Sequence, residues 1–149
     1  QNVADNAKVL AEGLLKRGAT LVTGGTDNHL VLIDTRSFGI TGRQAESALL
    51  DAGIVTNRNS VPNDPNGAWY TTGVRIGTPA LTSRGFSASE FDRVAELIVN
   101  VLSHTSATTT AAGTPGKAKY TLADGVAEAT KAASAELLDA NPLYPGLEV

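Results

Sequence analysis

Val3, Ala7, Leu10 and Leu14 recur at intervals of four, three and four residues, the spacing that aligns apolar side chains on one face of an α-helix. The pattern starts at Gln1 with no capping residue ahead of it, so the chain is expected to be a piece of something longer. Lys16 and Arg17 suit the carbonyl end of the helix dipole, and Gly18 is expected to end the helix. Thr20 to Thr23 then reads as a short strand. After a Gly24-Gly25 turn, His29-Leu30-Val31-Leu32-Ile33-Asp34 is apolar on both alternating faces, as a central strand covered on both sides would be. Thr41 and Gln44 have capping-box spacing, and Ala45, Ala48, Leu49 and Ala52 follow at helical intervals up to Gly53. Ile54 to Thr56 reads as a strand and Asn57 to Tyr70 as a long polar loop ending in an exposed Trp69-Tyr70 pair. Loops of that length tend to carry function.

Val74 to Gly77 is the next expected strand. Ser87 and Glu90 form a second capping box, leading into Val94, Leu97, Ile98, Val101 and Leu102. Ser103 to Gly116 is small, polar and low in complexity, which predicts a flexible linker. A final helix is expected from Leu122 to Leu138, with Leu122, Val126, Ala129, Ala133 and Leu137 on one face. A few strands covered by helices predict an α/β or α+β sandwich. The expected organisation is a small domain over residues 1–103, a linker over 104–120, and a helix and tail of the same domain over 121–149.

Composition narrows the function classes. The 149 residues suit one domain, and 42% hydrophobic with 18% charged residues excludes a disordered acidic chain. No apolar run approaches the ~20 residues that a bilayer span requires, so no membrane partner is expected. A net charge of −3 without a Lys/Arg block argues against nucleic acid. The absence of cysteine removes disulfides and thiolate nucleophiles and fits an intracellular compartment.

Few residues suggest chemistry. Gly113-Thr114-Pro115-Gly116-Lys117 resembles half of a phosphate-binding loop but lacks the upstream glycine and carries Ala118 where Ser/Thr should hold Mg²⁺. His29 and His104 belong to no metal-ligand pattern; His29 is most simply a hydrogen-bonded histidine at a strand start. Glu90, Asp92 and Glu96 read as a solvated helix face. Arg75 differs. In Thr71-Thr72-Gly73-Val74-Arg75-Ile76-Gly77-Thr78-Pro79-Ala80, one guanidinium sits in what reads as a buried strand, where it must meet an anion. That anion is either an internal Asp or Glu or a ligand carboxylate or phosphate. Gly73 and Gly77, on the same side of the strand, favour a ligand by leaving space over the guanidinium.

The runs Gly24-Gly25-Thr26-Asp27-Asn28-His29-Leu30, Leu49 with Ala52-Gly53-Ile54, Asn57 through Pro65, Gly73 through Thr82 and Arg84-Gly85-Phe86 occur in one order. Together they closely resemble the carboxy-terminal domain of serine hydroxymethyltransferase, over roughly residues 1 to 103. The resemblance implies the small domain of a fold-type-I enzyme dependent on pyridoxal 5′-phosphate (PLP), with a short, mainly antiparallel sheet covered by helices. It implies interconversion of serine and glycine with transfer of a one-carbon unit to or from tetrahydrofolate, in a cytoplasmic homodimer. The family's carboxylate-clamping arginine maps onto Arg75. Asn59 resembles the pterin contact, and Asn66-Gly67-Ala68 matches the backbone segment lying against folate; an amide suits a pterin's mixed donor–acceptor edge. The departure is Asn66-Gly67-Ala68-Trp69-Tyr70, where many members carry Ser-Pro-Phe.

The same resemblance places the Schiff-base lysine, the phosphate-binding residues and the catalytic carboxylates in a large domain. Lys8, Lys16, Lys117, Lys119 and Lys131 match none of these, so no catalytic residue is expected in this chain, and its expected partner is that large domain. The competing expectation is a non-catalytic module that binds small carboxylates or folates or mediates assembly.

Overall fold

The computed structural model describes residues 2–22 and 29–142. The Gly24-Gly25 turn and Leu143-Tyr144-Pro145 lie outside the described residues.

Helix α1 (Asn2–Lys16) and strand β1 (Thr20–Leu21) are followed by strand β2 (Leu30–Asp34), which runs into a short 3-10 turn at Thr35–Phe38. Helix α2 (Gly42–Asp51) starts with the expected capping box: Thr41 Oγ1 accepts the Gln44 N–H while the Gln44 side chain accepts the Thr41 N–H. Strand β3 (Asn57–Asn59), helix α3 (Gly67–Tyr70), strand β4 (Gly73–Gly77) and helix α4 (Pro79–Ser83) come next. Helix α5 (Ala88–Ser103) carries the second capping box, between Ser87 and Glu90. Strands β5 (Thr105–Thr109) and β6 (Pro115–Leu122) precede helix α6 (Val126–Ala140).

Four strands form an antiparallel sheet in the order β1-β2-β4-β3. Its alternation decides which side chains become core. Val31, Ile33, Val74 and Ile76 turn to one face and join Leu10, Leu14, Leu49, Phe91, Ile98 and Leu102 of α1, α2 and α5 in one buried cluster. Close approach of α1 and α5 depends on Gly13, where an added Cβ would come within 2.8 Å of the Ala95 methyl. The same pair of helices is bridged by Asp92, which accepts from Arg17 Nη1 at 2.9 Å and Nη2 at 3.0 Å and pairs with Lys16 at 2.9 Å. The carboxylate expected to be solvated thus ties two helices together, and these hydrogen bonds, Arg17's first, hold it well below the usual carboxylate range.

The α+β class is as expected, and three local expectations are corrected. Ile54 to Thr56 forms no strand; the strand lies three residues on, at Asn57–Asn59, because the β4 edge pairs with it there and Val55 is left 80% exposed. The expected linker at 104–120 is a hairpin: β5 and β6 pair antiparallel with an irregularity between Ala107 and Thr109, where β-branched threonines suit a strand. Of the Gly113–Lys117 stretch, Gly113 and Thr114 lie in the turn and Pro115, Gly116 and Lys117 in β6; the third correction is the final helix, which starts at Val126, Leu122 being the last residue of β6. The hairpin is fastened to α2, since Gln44 Nε2 donates to the carbonyls of Gly116 at 2.9 Å and Lys119 at 2.8 Å, and Thr41 Oγ1 donates to that of Lys117 at 2.8 Å.

Candidate functional site

The second face of the sheet is where the candidate residues gather. Cross-strand register puts Leu32, Arg75 and Asn57 in one row and Asp34, Gly73 and Asn59 in the next. Leu30 and Leu32 are half-buried, and Arg75, Gly77 and Asn57 are exposed. β2 therefore has the two apolar faces read from its sequence, with the second left half open.

Arg75 is not buried as the sequence suggested. Strand alternation sends Val74 and Ile76 into the core and Arg75 to the open face, where its guanidinium meets no hydrogen-bond acceptor or carboxylate among the described residues. An internal Asp or Glu partner, the competing expectation, is absent among those residues. The glycines flanking it differ. A Cβ on Gly77 would make only ordinary contacts, 3.6 Å from Leu30 Cδ2 and Pro79 Cδ, so packing within the chain does not require glycine there. A Cβ on Gly73 would meet the Asn59 carbonyl oxygen at 2.6 Å and Val61 Cγ1 at 3.1 Å, so Gly73 serves close strand approach rather than ligand space.

The β3–β4 connection is organised by Asp64, which the sequence did not single out. Its Oδ2 accepts from the N–H groups of Thr72 at 2.8 Å and Val61 at 3.1 Å; its Oδ1 accepts from the Asn66 N–H at 2.8 Å and Thr72 Oγ1 at 2.6 Å. Burial opposes the charge, yet these hydrogen bonds outweigh it and hold the carboxyl below its usual value. Asn66 Nδ2 donates to Thr72 Oγ1 at 3.0 Å, Gly67 adopts φ +73, and Ala68 is exposed. Thr71, at φ +60, carries the strain of the turn from α3 into β4. Asn59 is half-buried with Nδ2 on the Ser60 carbonyl at 2.9 Å. The fold thus brings Asn59 to the row next to Arg75 and ties Asn66, Gly67 and Ala68 to the start of β4 through Asp64 and Thr72. An aspartate followed two residues later by asparagine in a proline-bearing loop is the signal that could have found this Asx-type anchor.

Other candidates are accounted for structurally. His29 is exposed and its carbonyl accepts the Thr78 N–H at 3.2 Å, while His104 Nδ1 meets the Asn100 carbonyl at 2.6 Å at the end of α5. Glu90 accepts from Asn141 Nδ2 at 2.6 Å besides capping α5, and Glu96 pairs with Arg93. Among the described residues no group of three His, Asp or Glu could hold a metal ion. Among those residues no helix is long and apolar enough to cross a membrane.

Among the described residues, the Arg75 guanidinium on the half-open sheet face has no carboxylate partner, and the β3–β4 connection is held by the Asp64 network. The family model described as Serine hydroxymethyltransferase matches residues 1–98. The chain is 73% identical over 147 residues to the serine hydroxymethyltransferase of Mycolicibacterium smegmatis, covering 99% of this chain and 29% of the relative. It is 68% identical to that of Cutibacterium acnes, covering 100% of this chain and 30% of the relative, and 49% identical to that of Treponema pallidum, covering 98% and 25%. The chain belongs to the serine hydroxymethyltransferase family, and it spans less than a third of the length of these curated relatives.

Proposed function

We propose that this chain is the carboxy-terminal small domain of a PLP-dependent serine hydroxymethyltransferase, which interconverts serine and glycine with transfer of a one-carbon unit to or from tetrahydrofolate. The carrying observation is Arg75, a permanently charged fork on the open face of β4 with no carboxylate partner among the described residues. In this reading it holds the amino-acid carboxylate in two parallel N–H···O bonds and so fixes the orientation of the reacting carbon. Asn59 faces the pterin, and the backbone of Asn66, Gly67 and Ala68 lies along the folate. Leu32, beside Arg75 in register, supplies an apolar floor that strengthens the ion pair by excluding water.

The residues present do not fit PLP itself. None of the five lysines lies on the four-stranded sheet or in the loop between β3 and β4: Lys8 and Lys16 belong to α1, Lys117 and Lys119 to β6, Lys131 to α6. Lys16 is already paired with Asp92. The cofactor's seat therefore belongs to the large domain, and the working enzyme is a cytoplasmic homodimer of the longer protein. The direct test is glycine production from serine and tetrahydrofolate in the presence of PLP. The full-length protein is expected to form glycine and the 149-residue chain alone to form none; turnover by the chain alone, or none by the full-length protein, contradicts the reading.

A further inference from the structure

Asn66-Gly67 is the one Asn-Gly pair in the chain, and it falls in the stretch that departs from the family's Ser-Pro-Phe. Glycine puts no side chain beside its own nitrogen, so that nitrogen is the least hindered backbone nucleophile a preceding asparagine amide can meet. The fold keeps it free. Gly67 is exposed and its N–H finds no acceptor among the described residues, while Asn66 makes no side-chain cap on α3. Helix α3 has four residues, too few to hold its first turn by its own hydrogen bonds. What restrains the Asn66 side-chain amide is its Nδ2, which donates to Thr72 Oγ1 at 3.0 Å and to the Thr71 carbonyl at 3.4 Å. The other asparagines of the loop lack a following glycine: Asn59 precedes Ser60 and Asn63 precedes Asp64.

The partners of Nδ2 make the amide's chemistry matter. Thr72 Oγ1 has one hydrogen and gives it to Asp64 Oδ1 at 2.6 Å, so toward Asn66 both the hydroxyl and the Thr71 carbonyl are acceptors. An amide donates to them. A carboxylate cannot, and it would set a second negative charge against a hydroxyl already bound to the Asp64 carboxylate.

We propose that Asn66 is a site of spontaneous deamidation and that its product releases the loop held by Asp64. The Gly67 nitrogen bonds to Asn66 Cγ as the Cγ–Nδ2 bond breaks, and the Gly67 N–H proton leaves with the amide as ammonia. Water then opens the succinimide at Cγ, giving aspartate, or at the backbone carbonyl carbon, giving isoaspartate. Nothing is oxidised or reduced. Water is the only co-reactant, so the chemistry is the same whatever covers this face in the longer protein, and whether or not the loop lies along folate. Either product loses the donor to Thr72, and isoaspartate also lengthens the backbone between Asp64 and Thr72. The N–H groups of Val61, Asn66 and Thr72, which Asp64 holds, then open to solvent.

The test ages the full-length protein under native conditions in mildly alkaline buffer. The tryptic peptide from Asn59 to Arg75, which contains Asn59, Asn63 and Asn66, is mapped by fragment-ion mass spectrometry against an unaged sample digested alongside. The amide-to-acid mass gain is expected at Asn66 several-fold ahead of Asn59 and Asn63, with both aspartate and isoaspartate present. Hydrogen exchange of the segment from Val61 to Thr72 is expected to be several-fold faster in the aged protein than in the fresh one. Asn66→Asp is expected to reproduce that acceleration without ageing, and the neutral Asn66→Ser to cause less of it. Should Asn66→Asp fold poorly, the aged parent, folded before it reacts, is compared with Asn66→Ser aged in parallel, which is expected to show no further acceleration. Conversion at Asn66 no faster than at its neighbours, aspartate without isoaspartate, or equal exchange in fresh and aged protein overturns the proposal.

Discussion

Gly73 and Asn59, paired across β3 and β4, stand so close that a Cβ added to Gly73 would lie 2.6 Å from the Asn59 carbonyl oxygen. Backbone cannot yield there as a flexible side chain could. Gly73→Ala is therefore expected to push β3 off the sheet and cost about 1–3 kcal/mol. Gly77→Ala, with contacts no closer than 3.6 Å, is expected to stay within about 0.5 kcal/mol of the parent. Urea denaturation of the two variants checks this pair; equal losses would mean that the strands are not locked at Gly73.

Asp64 holds the β3–β4 connection with four hydrogen bonds to Val61, Asn66 and Thr72. Asp64→Ala leaves those donors unpaired and is expected to cost on the order of 3 kcal/mol. In the full-length enzyme it is also expected to raise the KM for tetrahydrofolate more than that for serine, because Asn66 to Ala68 lose their anchor while Arg75 keeps its strand. Steady-state kinetics with each substrate varied in turn makes the comparison, and a serine-only effect would contradict it.

Asp92 links stability to pH through its depressed pKa, set first by the hydrogen bond from Arg17 and then by that from Lys16. A carboxyl depressed in the folded state stabilises fully above its unfolded value, ~3.9, and loses that contribution as pH falls through the folded value. Asp92→Asn is thus expected to lower the thermal midpoint equally at about pH 7 and pH 5, with the difference from the parent shrinking below about pH 4. A difference that grew on acidification would reverse the sign and refute the pairing.

Legibility along the chain followed the range of the interactions involved. The capping boxes at Thr41 and Ser87 are reciprocal contacts over three residues, so local spacing reveals both helix starts. Asn57-Arg58-Asn59 carries no apolar alternation; it is a strand because Gly73, fourteen residues beyond Asn59, admits its backbone. The 105–122 hairpin looked like a linker since its residues are small and polar, and what fixes it, the buried amide of Gln44, lies in another helix. Arg17 and Asp92 meet over 75 residues. Arg75 stood out because a lone cation in an apolar strand is chemically conspicuous. Its exposure did not, because alternation alone cannot tell a face covered within this chain from one left half open.

The most direct measurement replaces Arg75 in the full-length enzyme and compares amino-acid use with cofactor binding. Losing a bidentate ion pair to the substrate carboxylate removes about 2–5 kcal/mol of binding. Arg75→Ala, and to a lesser degree Arg75→Lys, is therefore expected to depress kcat/KM for serine by roughly two orders of magnitude or more while PLP affinity changes little. Serine kinetics equal to the parent, or a loss of PLP binding that matches the loss of activity, would contradict the assignment of Arg75 as the carboxylate grip.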